Sequence, residues 1–141
     1  GKTRSINYYR VDKTDAYLVD LPGYGYAQCS QEERNKWAEL LRHYLKDTPG
    51  LRALALLLDS RLLPQRADKE LLAFAASLSL PVLPVLTKAD KVKATDLDAV
   101  REATAKEARG RTAAHPEIIT TSSEKGMGLP ELRAAVIEAL A

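Results

Sequence analysis

The sequence of 141 residues has one cysteine, one methionine, one tryptophan and one phenylalanine. A lone Cys29 rules out an internal disulfide, and a reducing, cytoplasmic setting is the expectation that follows. Long apolar runs are missing too. Ala53–Leu58 is six residues, and Leu80–Leu86 is broken by Pro81 and Pro84, so neither is long enough to cross a bilayer and no membrane partner is expected. The chain carries neither the Gly-x-Gly-x-x-Gly of dinucleotide-binding folds nor the Gly-x-Ser-x-Gly of a nucleophile elbow. Strong charge of one sign is lacking as well. Lys and Arg number 21 against 19 Asp and Glu, a net +2 that is compatible with an RNA-rich partner and does not by itself define one. With 45% hydrophobic residues, seven Gly and seven Pro, collagen, disorder and coiled coil are poor fits. The length suits one domain with a real core, and a single domain over residues 1–141 is expected. Because the chain opens on Gly1 and its methionine is Met127, the natural start is expected to lie upstream.

What is present alternates. Ser5–Val11 and Asp15–Asp20, rich in Ile, Tyr and Val around an Asp12-Lys13-Thr14 turn, predict an antiparallel hairpin. A Gly/Pro loop, Leu21–Gly25, leads to Ser30 and Glu33, a capping-box pair. Behind it, Trp37, Leu40, Leu41, Tyr44 and Leu45 repeat at helical spacing and predict a helix over Gln31–Lys46. Leu51–Leu58 and Pro81–Thr87 read as strands covered on both faces. Helices are predicted over Gln65–Leu78, over Thr95–Arg109 with Leu97, Val100 and Ala103 inward, and over Leu129–Leu140 with Leu132, Val136 and Leu140 inward. Glu117–Ser122 is the last strand. Strands alternating with crossover helices predict an α/β, doubly wound, mostly parallel sheet with helices on both faces. Ligands in such folds bind beyond the C-terminal strand ends, which directs attention to the segments after Val19, Leu86 and Thr120.

Three weak motifs stand there in order. Asp20-Leu21-Pro22-Gly23 offers a carboxylate able to orient a metal-bound water and a Gly whose N–H can approach a phosphate, though alone it also fits an ordinary tight turn. Thr87-Lys88-Ala89-Asp90 offers a carboxylate that can accept from N1–H and the exocyclic amine of guanine, a donor pair adenine lacks. The Lys88 stem can cover a base plane, while Lys91 and Lys93 nearby fit a plain solvated loop equally well. Thr121-Ser122-Ser123 offers small residues whose main-chain N–H groups can reach a base carbonyl, or a simple Ser-rich cap. A fourth segment, Gly1-Lys2-Thr3-Arg4-Ser5, carries a hydroxyl suited to Mg²⁺ but stands at a terminus. Separately each is compatible with a loop; three in one order, each after a different strand, point to a nucleotide site.

The runs Gly1–Tyr9, Val19–Ala27 (Val-Asp-Leu-Pro-Gly-Tyr-Gly-Tyr-Ala) and Glu32–Trp37, with Thr87–Asp90 and Ser122–Gly126 behind them, closely resemble the EngB (YihA, YsxC) family of bacterial ribosome-biogenesis GTPases across essentially the whole chain. The resemblance implies a P-loop GTPase fold, GTP or GDP as ligand, Mg²⁺ and an assisting K⁺ as cations, and a monomer. It implies that Gly1, Lys2, Thr3, Arg4 and Ser5 line the phosphates, with Thr3 a direct magnesium ligand. Asp20 would hold Mg²⁺ through water, within a switch formed by Asp20, Leu21, Pro22 and Gly23. Thr87, Lys88, Ala89 and Asp90 would read guanine, and Thr121, Ser122 and Ser123 would complete the base pocket. It further implies a role late in assembly of the large ribosomal subunit, linked to septation and cell division, with GTP hydrolysis as the timer.

Two departures qualify that reading. No Gly-x-x-x-x-Gly-Lys-[Ser/Thr] occurs in the chain, and Gly1-Lys2-Thr3 cannot replace it, because a phosphate loop opens a helix whereas Ser5 onward reads as a strand. In the family, that loop, the first strand and the first helix precede Gly1, and the strand lies between Tyr17–Asp20 and Leu51–Leu58. The expectation is therefore an N-terminally incomplete GTPase domain that alone neither binds GTP well nor folds stably. Second, Tyr24 stands where many GTPases keep a water-orienting Gln, so no catalytic base is evident and hydrolysis is expected to need help from a monovalent cation or the ribosome. His43, His115 and Cys29 read as non-catalytic, without triad or ligand spacing. The alternative is a non-enzymatic ribosome- or RNA-binding module presenting Arg4, Arg10, Lys13, Arg42, Arg61 and Arg66, although acidic residues interleave with these.

Overall fold

The computed structural model describes residues 6–21, 30–110 and 117–140. The chain divides into two compact units, Gly1–Pro49 and Gly50–Ala141.

In the first unit, β1 (Asn7–Arg10) and β2 (Tyr17–Asp20) form the expected antiparallel hairpin, with Tyr9 opposite Leu18 and Arg10 opposite Tyr17. On the turn side the strands stop short of the apolar pattern, because Val11–Ala16 form the turn. Lys13 takes a left-handed conformation at φ 61°. The Thr14 hydroxyl donates to the Val11 carbonyl at 2.8 Å and accepts from the Ala16 N–H at 3.0 Å. The helix α1 (Gln31–Asp47) starts at Ser30, whose hydroxyl accepts from the Glu33 N–H at 3.1 Å, the cap its sequence called for. Leu41 and Leu45 are buried, and burial with a hydrogen bond to Tyr8 pushes the Tyr44 phenol up to about 12, tying helix to hairpin. Leu40, expected inward, is 43% exposed; it lies one position off the Leu41–Leu45 stripe, where helical rotation turns it outward.

The second unit holds β3 (Leu54–Asp59), α2 (Arg66–Ser77), β4 (Val82–Thr87), a 3₁₀ turn (Ala89–Lys91), α3 (Ala94–Arg109), β5 (Ile119–Thr120) and α4 (Leu129–Leu140). Its sheet runs β3-β4-β5 and is wholly parallel, with Leu54 beside Val82, Asp59 beside Thr87 and Leu86 beside Thr120. Among the described residues β2 pairs only with β1, and β3 only with β4. Leu83, Val85 and Ile119 form one core face, against which Leu132 and Ala135 of α4 pack. The helices α2 and α3 meet through an ion pair, Lys69 of α2 standing 3.5 Å from Glu107 of α3.

β4 is buried along its length, as expected. Pro84 is tolerated inside it because the β5 ladder begins only at Val85, so its missing N–H interrupts no bond on that side. β3 is a correction. It alternates, with Leu56 and Leu58 buried and Leu57 63% exposed, since α4 covers β4 and β5 but does not extend over the Val85 face as far as β3. The last strand is also shorter than Glu117–Ser122. After Thr120 the chain turns, and Ser122 pairs with Met127 instead. On α3, Val100 is buried as expected, with Leu97 and Ala103 half-buried; Thr104 joins Val100 inward because its hydroxyl donates to the Val100 carbonyl at 2.7 Å and satisfies itself. Leu132, Val136 and Leu140 of α4 are half-buried rather than enclosed.

Candidate functional site

Three parallel strands end on one edge, and the segments that follow them are laced together. The Thr121 N–H and hydroxyl both donate to the Leu86 carbonyl, at 2.7 and 2.9 Å, and the Ala89 N–H donates to the Thr121 carbonyl at 3.0 Å. These bonds fix the Thr87–Asp90 loop against the Thr121–Ser123 loop, two segments some thirty residues apart in sequence.

Their meeting point is Asp90. The fully buried Ser122 donates its hydroxyl to Asp90 Oδ1 at 2.7 Å and accepts from the Lys125 N–H at 3.1 Å. The Lys91 ammonium stands 3.6 Å from Asp90 Oδ2 and 2.9 Å from Glu124. The Ser122 bond is the foremost cause holding the Asp90 carboxyl below its ordinary range; the backbone and Lys91 help, against the opposing pull of desolvation. Asp90 is thus an ionised, acceptor-only group whose side chain is 11% exposed. One carboxylate oxygen is oriented by a hydroxyl, and the other keeps lone pairs for an outside donor.

Lys88, just before this turn, has a left-handed backbone at φ 57°. Its ammonium lies 3.6 Å from Asp59 Oδ2, at the end of β3. Asp59 in turn is gripped by Arg61, whose backbone N–H and guanidinium reach Oδ1 at 2.9 and 3.0 Å, while Nη2 reaches Oδ2 at 2.6 Å. The Arg61 hydrogen bonds, above all, bring the Asp59 carboxyl down to about 2. Asp59 escaped the sequence reading, which takes Arg61 only as an RNA-facing cation, Lys91 only as part of a solvated loop, and Glu124 only as part of the Ser122–Gly126 run. The available signal was position: Asp59 follows a buried strand on the same edge as the other motifs.

The expected site residues divide as follows. Thr87, Lys88, Ala89, Asp90, Thr121, Ser122 and Ser123 are brought together, with Ser123 exposed and Thr121 and Ser122 buried. Asp20, exposed at the end of β2, and half-buried Leu21 belong to the first unit. Gly1, Lys2, Thr3, Arg4, Ser5, Pro22 and Gly23 lie outside the described residues, as do Tyr24, Cys29 and His115. His43 is exposed on α1, 3.7 Å from Glu39 and 3.6 Å from Asp47, with no catalytic geometry around it. Among the described residues no three His, Cys, Asp or Glu side chains form a metal cluster, and no helix is long and apolar enough to cross a membrane.

The fold is that of the α/β GTPases. A crystal structure of a probable GTP-binding protein EngB superposes with a TM-score of 0.82 at 18% identity, covering 97% of this chain and 84% of that one. The family model for the 50S ribosome-binding GTPases matches residues 1–88. The probable GTP-binding protein EngB of Oleidesulfovibrio alaskensis is 53% identical over 133 residues, 94% of this chain and 58% of that protein. Its counterpart in Nitratidesulfovibrio vulgaris is 48% identical over 132 residues, 94% and 59% of the two chains. The chain belongs to the 50S ribosome-binding GTPase family, as a member of its EngB group of GTP-binding proteins. It spans about three-fifths of the length of these curated relatives.

Proposed function

We propose that this chain is the base-reading part of a guanine-nucleotide switch that acts on the large ribosomal subunit. The observation that carries the reading is the Asp90 carboxylate, ionised and aimed by Ser122 at the C-terminal edge of a parallel sheet. Asp90 accepts from N1–H and the 2-amino group of guanine. An adenine in the same place leaves the carboxylate unpaired, a penalty of about 1–3 kcal/mol or more, and this selects the base. The Lys88 stem covers the base plane, with Thr87 and Ala89 shaping the loop beside it. Of the Thr121–Ser123 segment, the main-chain N–H of Ser123 is assigned to the base carbonyl, since those of Thr121 and Ser122 donate to the Leu86 and Met127 carbonyls.

Gly1–Ser5 and Asp20–Gly23 are assigned to the polyphosphate, Thr3 and (through water) Asp20 to Mg²⁺. An exposed strand-end carboxylate such as Asp20 suits a hard cation that keeps several of its waters. When bound, Mg²⁺ would neutralise charge on the phosphates. With Tyr24 in place of a water-orienting Gln, intrinsic hydrolysis is slow and is stimulated by a monovalent cation such as K⁺ or by the ribosome. The family description, which names the 50S subunit, supports a role in large-subunit assembly, and through it in cell division, in the cytoplasm. The RNA-module alternative is less well supported. Arg10 pairs with Asp15, Arg61 with Asp59 and Arg66 with Glu70, so half of the six proposed RNA-facing cations already carry acidic partners.

The test uses the full-length protein with radiolabelled GTP, alone and with purified large ribosomal subunits. The expected result is guanine-nucleotide binding, slow phosphate release alone, and release accelerated at least tenfold by the subunits. A protein that binds the subunits equally well with and without nucleotide, and releases no phosphate, would be a ribosome-binding module instead.

A further inference from the structure

The cluster at the end of β3 performs no step in the reading above, yet Arg61 holds the Asp59 carboxylate through its backbone N–H and its guanidinium. Asp59 lies beside Thr87 in the β3-β4 register, one residue before Lys88. The two strand ends are cross-tied, the Ser60 N–H donating to the Thr87 carbonyl at 2.9 Å and the Thr87 hydroxyl to the Leu58 carbonyl at 3.4 Å. Asp59 is held by Arg61 through the planar fork that suits a carboxylate, so its oxygens are fixed rather than swinging. Lys88 has the opposite character: a flexible four-carbon stem whose ordering costs rotamer entropy when a ligand binds. The ammonium nonetheless has an anchor, Asp59 Oδ2 at 3.6 Å, while the left-handed backbone at Lys88 sets the start of the stem.

We infer that Asp59, clamped by Arg61, is a positioning residue that pre-orders Lys88 for the nucleotide. It touches no ligand and acts through the lysine, lowering the ordering cost that binding would otherwise meet. Arg61 is therefore part of a support for the base-reading loop. The inference rests on the assignment of Lys88 to the nucleotide.

The test is a double-mutant cycle on the full-length protein, titrated with GDP and Mg²⁺, with Asp59→Asn, Lys88→Met and the pair together. Asp59→Asn is expected to weaken GDP about 3- to 10-fold. Lys88→Met is expected to weaken it by about tenfold or more, and Asp59→Asn to add less than about twofold on top of Lys88→Met. Asp59→Glu, which keeps the charge, is expected to recover most of the loss. Arg61→Gln, which frees the carboxylate without removing it, gives a smaller loss that likewise vanishes beside Lys88→Met, so the idea can be judged even if Asp59→Asn folds poorly. Multiplicative losses in the double variant, or GDP affinity unchanged or tighter in Asp59→Asn, overturn the positioning role while leaving the site intact. Unchanged GDP affinity in Lys88→Met overturns the site assignment and the positioning role together.

Discussion

Asp90→Asn is expected to invert base preference in the full-length protein. The carboxylate accepts two hydrogen bonds from guanine; an amide accepts one and offers a donor where the 2-amino group sits, so GDP meets a donor against a donor. Bonds to a charged group are worth about 1.5–3 kcal/mol each, and GDP affinity should fall at least about a hundredfold. Xanthine carries a carbonyl in place of the 2-amino group while keeping N1–H, which suits an amide at position 90. XDP should therefore bind the variant at least about tenfold more tightly than GDP does. Ser122 sharpens the expectation: its hydroxyl, at 2.7 Å, can go on donating to the amide oxygen and fix which way the amide faces. Competition titrations with the two nucleotides check it, and an unchanged GDP-to-XDP ratio would remove Asp90 from the base site.

Gly128→Ala is expected to cost about 3 kcal/mol or more in stability and most of the nucleotide affinity. Gly128 sits at φ +74°, where an L-residue is strained, and a Cβ there would lie 1.9 Å from the Thr120 carbonyl oxygen and 2.9 Å from its carbon. The obstacle is backbone of β5, so no side-chain rotation relieves it. The chain must move either β5 or the turn that returns from Ser122 to Met127, and that turn is what holds the Ser122 hydroxyl on Asp90. Gly126 is the control. It has nearly the same conformation, φ +71°, with nothing within 4 Å of a Cβ, so Gly126→Ala should cost only about 1 kcal/mol. Urea unfolding of the two variants separates conformational strain from collision; equal losses would show that the collision at Thr120 is relieved without consequence.

The sequence carries the local half of this structure well. The Ser30 cap, the Thr14 turn and the unbroken burial of Val82–Leu86 follow from residue chemistry and spacing alone, because the forces behind them act within a few positions. It fails where a partner comes from far along the chain. Leu57 reads as core from its apolar neighbours, but coverage depends on how far α4 extends over the sheet, which no run of leucines encodes. The site shows the same division. Asp90 and Ser122 are each legible as polar residues after a strand, whereas their 2.7 Å bond across 32 positions exists only once β4 and β5 are paired. The pairing of Asp59 with Arg61 is missed, and Arg61 reads as an RNA-facing cation, because a charged pair two residues apart looks like a solvated turn. Only the parallel register, which sets Asp59 beside Thr87, brings it to Lys88. Gly128 is a plain glycine in the sequence; the Thr120 carbonyl makes it a requirement.

The central claim is that one ionised carboxylate reads both donors on the Watson–Crick edge of guanine, and nucleotides that lack those donors test it most directly. Calorimetric titration of the full-length wild-type protein with GDP, IDP and ADP in the presence of Mg²⁺ makes the comparison. IDP lacks only the 2-amino group and should bind about 10- to 100-fold more weakly than GDP, while ADP, which lacks both donors, should show no measurable binding at the same concentrations. Equal affinities for GDP and IDP, or binding of ADP within tenfold of GDP, would contradict it.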